Sequence, residues 1–269
     1  MRTLGFIGAG RMATALANGC VQRGLVPAPG VLASDPDESA RRRFAAEIAG
    51  ARVVDANPDV LAGADAVILA VKPQMMPQVL GEIGTHVTPQ HLLVSIAAGV
   101  TLARLANSLP AGTRLVRVMP NTPCLIGLGA SCYCRGPAAT AEDAAAVERL
   151  LGAVGRAYEV EEPQLDAVTG LSGSGPAFVY SVIEAMAEGG VAAGLPQGLA
   201  LELAAQTAAG AAGMIQQTAL SPAELREQVT SPGGTTLAGL KVLAQRDGPG
   251  AFRAAVEAAA RRSVELGQA

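Results

Sequence analysis

Short apolar runs recur through the first three-fifths of the chain. TLGFI (3–7), VLAS (31–34), RVV (52–54), AVILAV (66–71), LLVSI (92–96), RLVRVM (114–119), ASCYC (130–134) and AYEV (157–160) are of strand length. They are rich in β-branched side chains and do not alternate cleanly with polar ones. That pattern predicts strands covered on both faces, as in a parallel sheet under helices. Between most of them lie helical patterns such as MATALANGCVQRG (12–24) and TAEDAAAVERLLGAV (140–154). Repeated β–α alternation over residues 1–162 predicts an α/β domain with a doubly wound sheet.

After Pro163 the pattern changes. No strand is predicted from Leu165 onward, only long Ala-rich segments broken by glycine and proline. GPAFVYSVIEAMAEGGVAAGLP places Pro176 in a first helical turn and ends on Gly194 and Pro196, a start and stop that fit one helix. LALELAAQTAAGAAGMIQQ (199–217) predicts a second, and SPAE (221–224) carries a capping box before a short third. LAGLKVLAQ and FRAAVEAAARRSVEL supply a fourth and a fifth. These helices are apolar around much of their circumference, and so small a domain (163–269) has limited interior to offer them. Packing against a second copy of the chain solves this, so an obligate homodimer is expected.

Composition narrows the possible roles. The 269 residues carry a net charge of −3, and the one basic cluster is Arg41, Arg42 and Arg43. Neither a nucleic acid nor an anionic membrane is expected as partner. No apolar stretch is long enough for a membrane span, and MRTLGFIGAG reaches glycine too early for a signal peptide; a cytoplasmic location is expected. Cys20, Cys124, Cys132 and Cys134 form no CxxC, and the two histidines, His86 and His91, lie far from them in sequence. No metal site is expected, and the cysteines read as small buried hydrophobes.

GAGRMA (8–13) follows the first strand directly and opens the first helix. This is the dinucleotide fingerprint in its required setting, the mark of a Rossmann-type domain. Gly8 permits the tight turn, Gly10 admits a pyrophosphate, and Ala13 lets helix and strand pack closely. Arg11 and Met12 of the same motif join the cofactor-binding candidates. The second strand ends in Ser34-Asp35, with Arg41 to Arg43 just beyond. An acid there suits the ribose hydroxyls of NAD, while serine with a nearby arginine suits the 2′-phosphate of NADP; both readings stay open. Further candidates stand at the ends of later strands: Val71, Lys72 and Pro73 in AVKPQ, Ala97 and Ala98 in SIAAG, and Asn121 in RVMPNTP. All fall on one sheet edge, where the reactive end of a cofactor belongs.

Two hydroxyl-rich segments mark the helical half. GLSGSGPAF (170–178) places Ser172 and Ser174 before an expected helix start, and SPGGTT (231–236) precedes another. Backbone N–H groups at Gly233, Gly234, Thr235 and Thr236 can gather into a cup for a carboxylate, favoured by the helix dipole. Simple helix capping is the alternative for each.

Taken in order, GFIGAGRMA, AVKPQ, VSIAAGV, RVMPNTP, GLSGSGPAF and SPGGTT resemble the pyrroline-5-carboxylate reductases nearly end to end. The resemblance implies reduction of Δ1-pyrroline-5-carboxylate to L-proline, the last step of proline biosynthesis, with NADPH as reductant and NADH as an alternative. It also implies an interlocked homodimer, with a decamer as the larger assembly. By the same resemblance the SPGGTT loop holds the substrate carboxylate, and Thr236 is the catalytic candidate as proton donor or orienter. The β-hydroxyacid dehydrogenases share a similar two-part layout but use a helical lysine with asparagine four residues on; here Lys241 is followed by Gln245. A non-catalytic nucleotide sensor is the other rival.

Overall fold

The computed structural model describes residues 2–268. All eight predicted strands form: β1 (Leu4–Ile7), β2 (Val31–Ser34), β3 (Arg52–Val53), β4 (Ala66–Leu69), β5 (Leu92–Ser95), β6 (Arg114–Met119), β7 (Gly129–Arg135) and β8 (Gly155–Glu159). Six helices connect them: α1 (Arg11–Gln22), α2 (Glu38–Glu47), α3 (Asn57–Gly63), α4 (Met76–Ile83), α5 (Leu102–Ala106) and α6 (Ala141–Gly152). The sheet order is β3-β2-β1-β4-β5-β6-β7-β8. Every pairing is parallel except β6 with β7. The order reverses at β1, which pairs with β2 on one side and β4 on the other. That switch point is where a doubly wound sheet opens a ligand crevice.

The unbroken apolar runs are explained by what each face meets. β1, β2, β4 and β5 are buried at every residue. Leu4, Phe6, Ala33, Ile68 and Val94 enter one core with Leu16, Phe44 and Val147. Their neighbours Ile7, Leu32, Val67, Leu69 and Leu93 enter a second with Leu61, Leu80 and Leu105. Successive strand residues point to opposite faces, so a sheet covered twice needs apolar residues at both parities. Close approach of helix to sheet is built on glycine: a Cβ at Gly5 would lie 2.4 Å from Val60 Cγ1, and one at Gly19 would lie 2.2 Å from Val154 Cγ1.

Beyond the sheet come α7 (Gln164–Val168), a π-helical turn (Thr169–Gly173), α8 (Gly175–Ala192), α9 (Gln197–Gln217), α10 (Pro222–Gln228), α11 (Thr235–Gln245) and α12 (Gly248–Gln268). The chain divides into two compact units. The first runs through Ser174 and takes in the chain again from Ala258; the second is Gly175–Glu257. Two contacts draw the flanking segments into the first unit although strands end earlier. Leu165 of α7 is fully buried in the second sheet core, and Ser263 Oγ donates to Asp166 Oδ1 at 2.6 Å.

The second unit is built differently. Its buried apolar residues are Ala187, Ala200 and Ala204, with Ile183 against them. Small residues let α8 and α9 approach until a Cβ on Gly190 would lie 3.2 Å from that of Ala200. Large side chains such as Val179, Tyr180, Leu199, Leu203 and Met214 stay exposed. Among the described residues no helix is long and apolar enough to cross a membrane.

Candidate active site

The crevice beyond β1 and β4 is a cavity of about 1200 Å³, above the roughly 300–1,000 Å³ typical of small-molecule sites. Gly8, Gly10, Arg11 and Met12 line it, as do Asp35, Val71, Lys72, Pro73, Ala97, Ala98 and Asn121. The two fingerprint glycines have separate tasks. Gly8 sits at φ +99°, and a Cβ there would lie 2.7 Å from the carbonyl oxygen of Ala70; the fold itself requires glycine. A Cβ at Gly10 would meet nothing within 4 Å, so the space beside it is open to a ligand. Gly10 caps α1 without any side-chain hydrogen bond, which leaves first-turn N–H groups and the positive end of the helix dipole facing that space. The residues present thus fit a dinucleotide pyrophosphate.

At the adenosine end, Asp35 is held in place by backbone. Its Oδ2 accepts from Ala9 N–H at 2.8 Å and its Oδ1 from Asp37 N–H at 2.9 Å. Ser34 does not line the cavity. It is buried, and its hydroxyl donates to Asn57 Oδ1 at 2.7 Å. Asn57 Nδ2 in turn donates to Glu82 Oε2 at 2.5 Å, and both Asn57 and Glu82 line the cavity. Sequence reasoning missed these two. Asn57 opens α3 after a two-residue strand, and Glu82 reads as a solvated position on α4; only the folding of α3 beside α4 brings them together. Asp37 accepts from the Ser39 hydroxyl and caps α2 by accepting from Ser39 N–H; these bonds, the hydroxyl's first, hold its carboxyl below the usual range.

The opposite end is lined by Ile96, Ala97, Ala98, Met119, Asn121 and Gly173. Small residues after β5 leave a flat wall. Asn121 is buried and acts first as a brace: its Oδ1 accepts from Ala130 N–H at 2.8 Å and its Nδ2 donates to the Ser172 carbonyl at 3.1 Å. The GLSGS segment is not the open helix start that its serines and glycines suggest. It is a π-helical turn leading into α8, in which Ser174 N–H donates to the Thr169 carbonyl at 2.8 Å and Ser172 Oγ donates to the Val168 carbonyl at 3.1 Å. Such wide turns concentrate at functional sites. Here the turn carries Gly173 to the cavity wall, where a Cβ would lie 2.6 Å from Met119 Cε.

Beneath α1, Cys124 Sγ lies 3.2 Å from Met12 Sδ, and burial pushes its thiol up to about 11. Cys20 is pushed up to about 12 and Cys134 to about 11, burial being the first cause in both. These are packing thiols and carry little thiolate at neutral pH. Among the described residues no three His, Cys, Asp or Glu side chains converge as metal ligands.

The second unit carries a tight turn just before α11. Ser231 accepts from Gly234 N–H at 3.0 Å, with Pro232 and Gly233 at the corners and Gly233 at φ +70°, a conformation that a Pro-Gly turn favours. Gly234 then caps α11 with no side-chain hydrogen bond. Immediately upstream, α10 carries a complete capping box from Ser221 and Glu224. The α11 start is left open where its neighbour is closed, so the first-turn N–H groups of Thr235 and Thr236 remain available. Thr235 is exposed and Thr236 half-buried.

A switch-point crevice with an open glycine helix start defines the class, a dinucleotide-binding α/β protein. Residues 162–266 match the family model described as pyrroline-5-carboxylate reductase dimerisation. Residues 3–99 match one described as NADP oxidoreductase, coenzyme F420-dependent. A pyrroline-5-carboxylate reductase of Glycine max is 47% identical over 264 residues, covering 98% of this chain and 96% of that one. The solved structure of such a reductase from Coxiella burnetii shares 33% identity with a TM-score of 0.92, covering 98% of each chain. The Plasmodium falciparum enzyme, solved with NADP bound, shares 30% identity with a TM-score of 0.89, covering 99% of this chain and 98% of that one. The chain belongs to the pyrroline-5-carboxylate reductase family.

Proposed function

We propose that this chain reduces the C=N bond of Δ1-pyrroline-5-carboxylate to give L-proline, the last step of proline biosynthesis, with either NADPH or NADH as reductant. Family membership supports the reaction. The observation that carries the substrate site is the α11 helix start, left without a side-chain cap while α10 just before it is fully capped.

When bound, the dihydronicotinamide supplies a hydride to the imine carbon, and the imine nitrogen takes up one proton. The open N–H groups of α1 hold the pyrophosphate, and Ala97 and Ala98 give the flat ring a wall to lie on. Lys72, exposed on the cavity lining, faces phosphate or ribose. The N–H groups of Gly233, Thr235 and Thr236 receive the substrate carboxylate, Gly234 shapes the turn with its own N–H held by the Ser231 carbonyl, and Ser172 and Ser174 are further substrate-side positions. An iminium is already electrophilic, so positioning supplies most of the rate. The Thr236 hydroxyl orients the ring nitrogen and holds or passes its proton; as a weak acid it acts chiefly by hydrogen bonding. Residues 1–162, with Gly173 on the cavity wall, thus serve the cofactor, and the rest of 163–269 serves the substrate and dimerisation. We place the working form in a homodimer able to assemble as a decamer. We place it in the cytoplasm, where reducing conditions suit four free cysteines.

Mixing the protein with the imine and NADPH or NADH, and following loss of nicotinamide absorbance, tests this reading. Imine-dependent oxidation is expected. Thr236→Ala should cut kcat about 10²-fold with dinucleotide affinity unchanged. Dinucleotide binding without imine-dependent turnover would leave the sensor in place of the reductase.

A further inference from the structure

The adenosine end of the cavity is more acidic than a seat for a phosphorylated ribose calls for. Asp35, Asp55 and Glu82 line it, and the cations of the whole lining are Arg11 and Lys72. Asp35 follows β2 directly, the position from which a carboxylate accepts the ribose 2′-hydroxyl in doubly wound folds. It cannot readily swing aside, because Ala9 N–H and Asp37 N–H each hold one of its oxygens.

The arginines that could offset this charge are engaged elsewhere. Arg41 Nη1 donates to the carbonyls of Asp35 at 2.6 Å and Pro36 at 3.3 Å. Arg42 pairs with Glu38 at 2.6 Å along its own helix, and Arg43 donates to Ser39 Oγ at 3.0 Å. None of the three is among the residues lining the cavity. The Ser34 hydroxyl, the other candidate donor to a 2′-phosphate, is spent on Asn57. The β2 end therefore presents a fixed carboxylate and no ring of donors.

We infer that Asp35 reads the 2′ position of the adenosine ribose, and that its charge makes this chain favour NADH over NADPH while accepting both. The inference rests on the reading of the cavity as a dinucleotide site and is independent of the imine chemistry. A diol donates to a carboxylate, whereas a phosphate dianion is repelled by it and finds no partner in exchange.

The test is a calorimetric titration with two cofactor fragments, ADP-ribose and 2′-phospho-ADP-ribose, which needs neither substrate nor turnover. The wild type should bind ADP-ribose about tenfold or more tightly than the phosphorylated fragment. Asp35→Ser should close or reverse that gap, mainly by strengthening the phosphorylated ligand. Because Asp35 also braces Ala9, Asp35→Asn, which removes the charge and keeps the shape, should shift the ratio the same way. Arg41→Ala should leave the ratio unchanged. Preference of the wild type for the phosphorylated fragment, lost in Arg41→Ala, would overturn the inference and make the arginine the 2′-phosphate clamp. Equal binding of both fragments would overturn the selectivity alone; failure of both to bind would overturn the dinucleotide reading with it. A kcat/KM ratio for NADH against NADPH should follow the fragment ratio in each variant.

Discussion

The two compact units hold similar fractions of apolar sequence and spend them in opposite ways. In the sheet unit Phe6, Phe44, Leu16, Leu69 and Ile83 are essentially fully buried, and Phe6 and Phe44 stack in a tilted pair with ring centroids 5.8 Å apart. In the helical unit the buried set is three alanines, while Leu199, Leu203 and Met214 remain 45%, 49% and 48% exposed. A sheet covered twice closes its core within one chain. A few helices joined through alanine and glycine bring backbones close and push the large side chains outward. The first unit buries its own large side chains; the second leaves them exposed, in keeping with its match to a dimerisation family.

The largest effect should come from attacking that difference directly. Leu199 and Leu203 share one face of α9, four residues apart. Leu199→Glu with Leu203→Glu should dissociate the assembly and abolish turnover. Two leucines at about 2 kcal/mol each, counted twice by two-fold symmetry, amount to roughly 8 kcal/mol. Sedimentation should show monomer, while the sheet unit keeps its own unfolding transition and its affinity for dinucleotide. A variant that stays assembled would mean that these leucines are not interface residues.

A smaller effect should separate fold from ligand inside the sheet unit. Gly8→Ala forces a side chain onto φ +99° and against the Ala70 carbonyl, which should cost about 2 kcal/mol or more of stability. Gly10→Ala meets open space and should change stability by no more than about 0.5 kcal/mol. Its methyl instead occupies ligand space, so dinucleotide affinity should fall about tenfold or more. Melting curves and nucleotide titrations on the two variants read the two roles apart; equal losses of stability would erase the distinction.

The smallest effect lies at the start of the sheet. Asp65 accepts from Arg2 N–H and, more weakly, from Thr3 N–H, and the first of these leads the causes holding its carboxyl below the usual carboxylate value. A native pKa below the unfolded one adds stability at pH values above the unfolded pKa. That increment fades as pH falls through the native value. Asp65→Asn should therefore lower the melting temperature slightly at neutral pH, and the gap to wild type should close in acid. A gap that widens on acidification would contradict the assignment.

How far the site was legible depended on where its partners lie in the chain. The fingerprint could be read because its requirements are local: strand, positive-φ glycine and helix start fall within ten residues. The turn at Ser231–Gly234 and the helix start after it were legible for the same reason, a Pro-Gly turn running straight into a helix. Ser34 misled because its partner Asn57 is 23 residues away and Glu82 a further 25 beyond that. The GLSGS segment misled because serine and glycine suit an open helix start and a π-helical turn equally well. Only the packing of Gly173 on Met119 and the hold of Asn121 on Ser172 select the turn.

From the sequence alone came the eight strands, five of the six helices beyond Pro163, a helical half short of interior for its apolar faces, and the glycines that shape the two open helix starts. Each is dictated by periodicity or by backbone sterics over a few neighbouring residues. Tertiary structure alone decided which polar groups remain free. A side chain such as Ser34, Asp35 or Asn121 can bond either to a ligand or to a distant part of the chain, and the choice is made only when folded elements bring those partners within hydrogen-bonding distance.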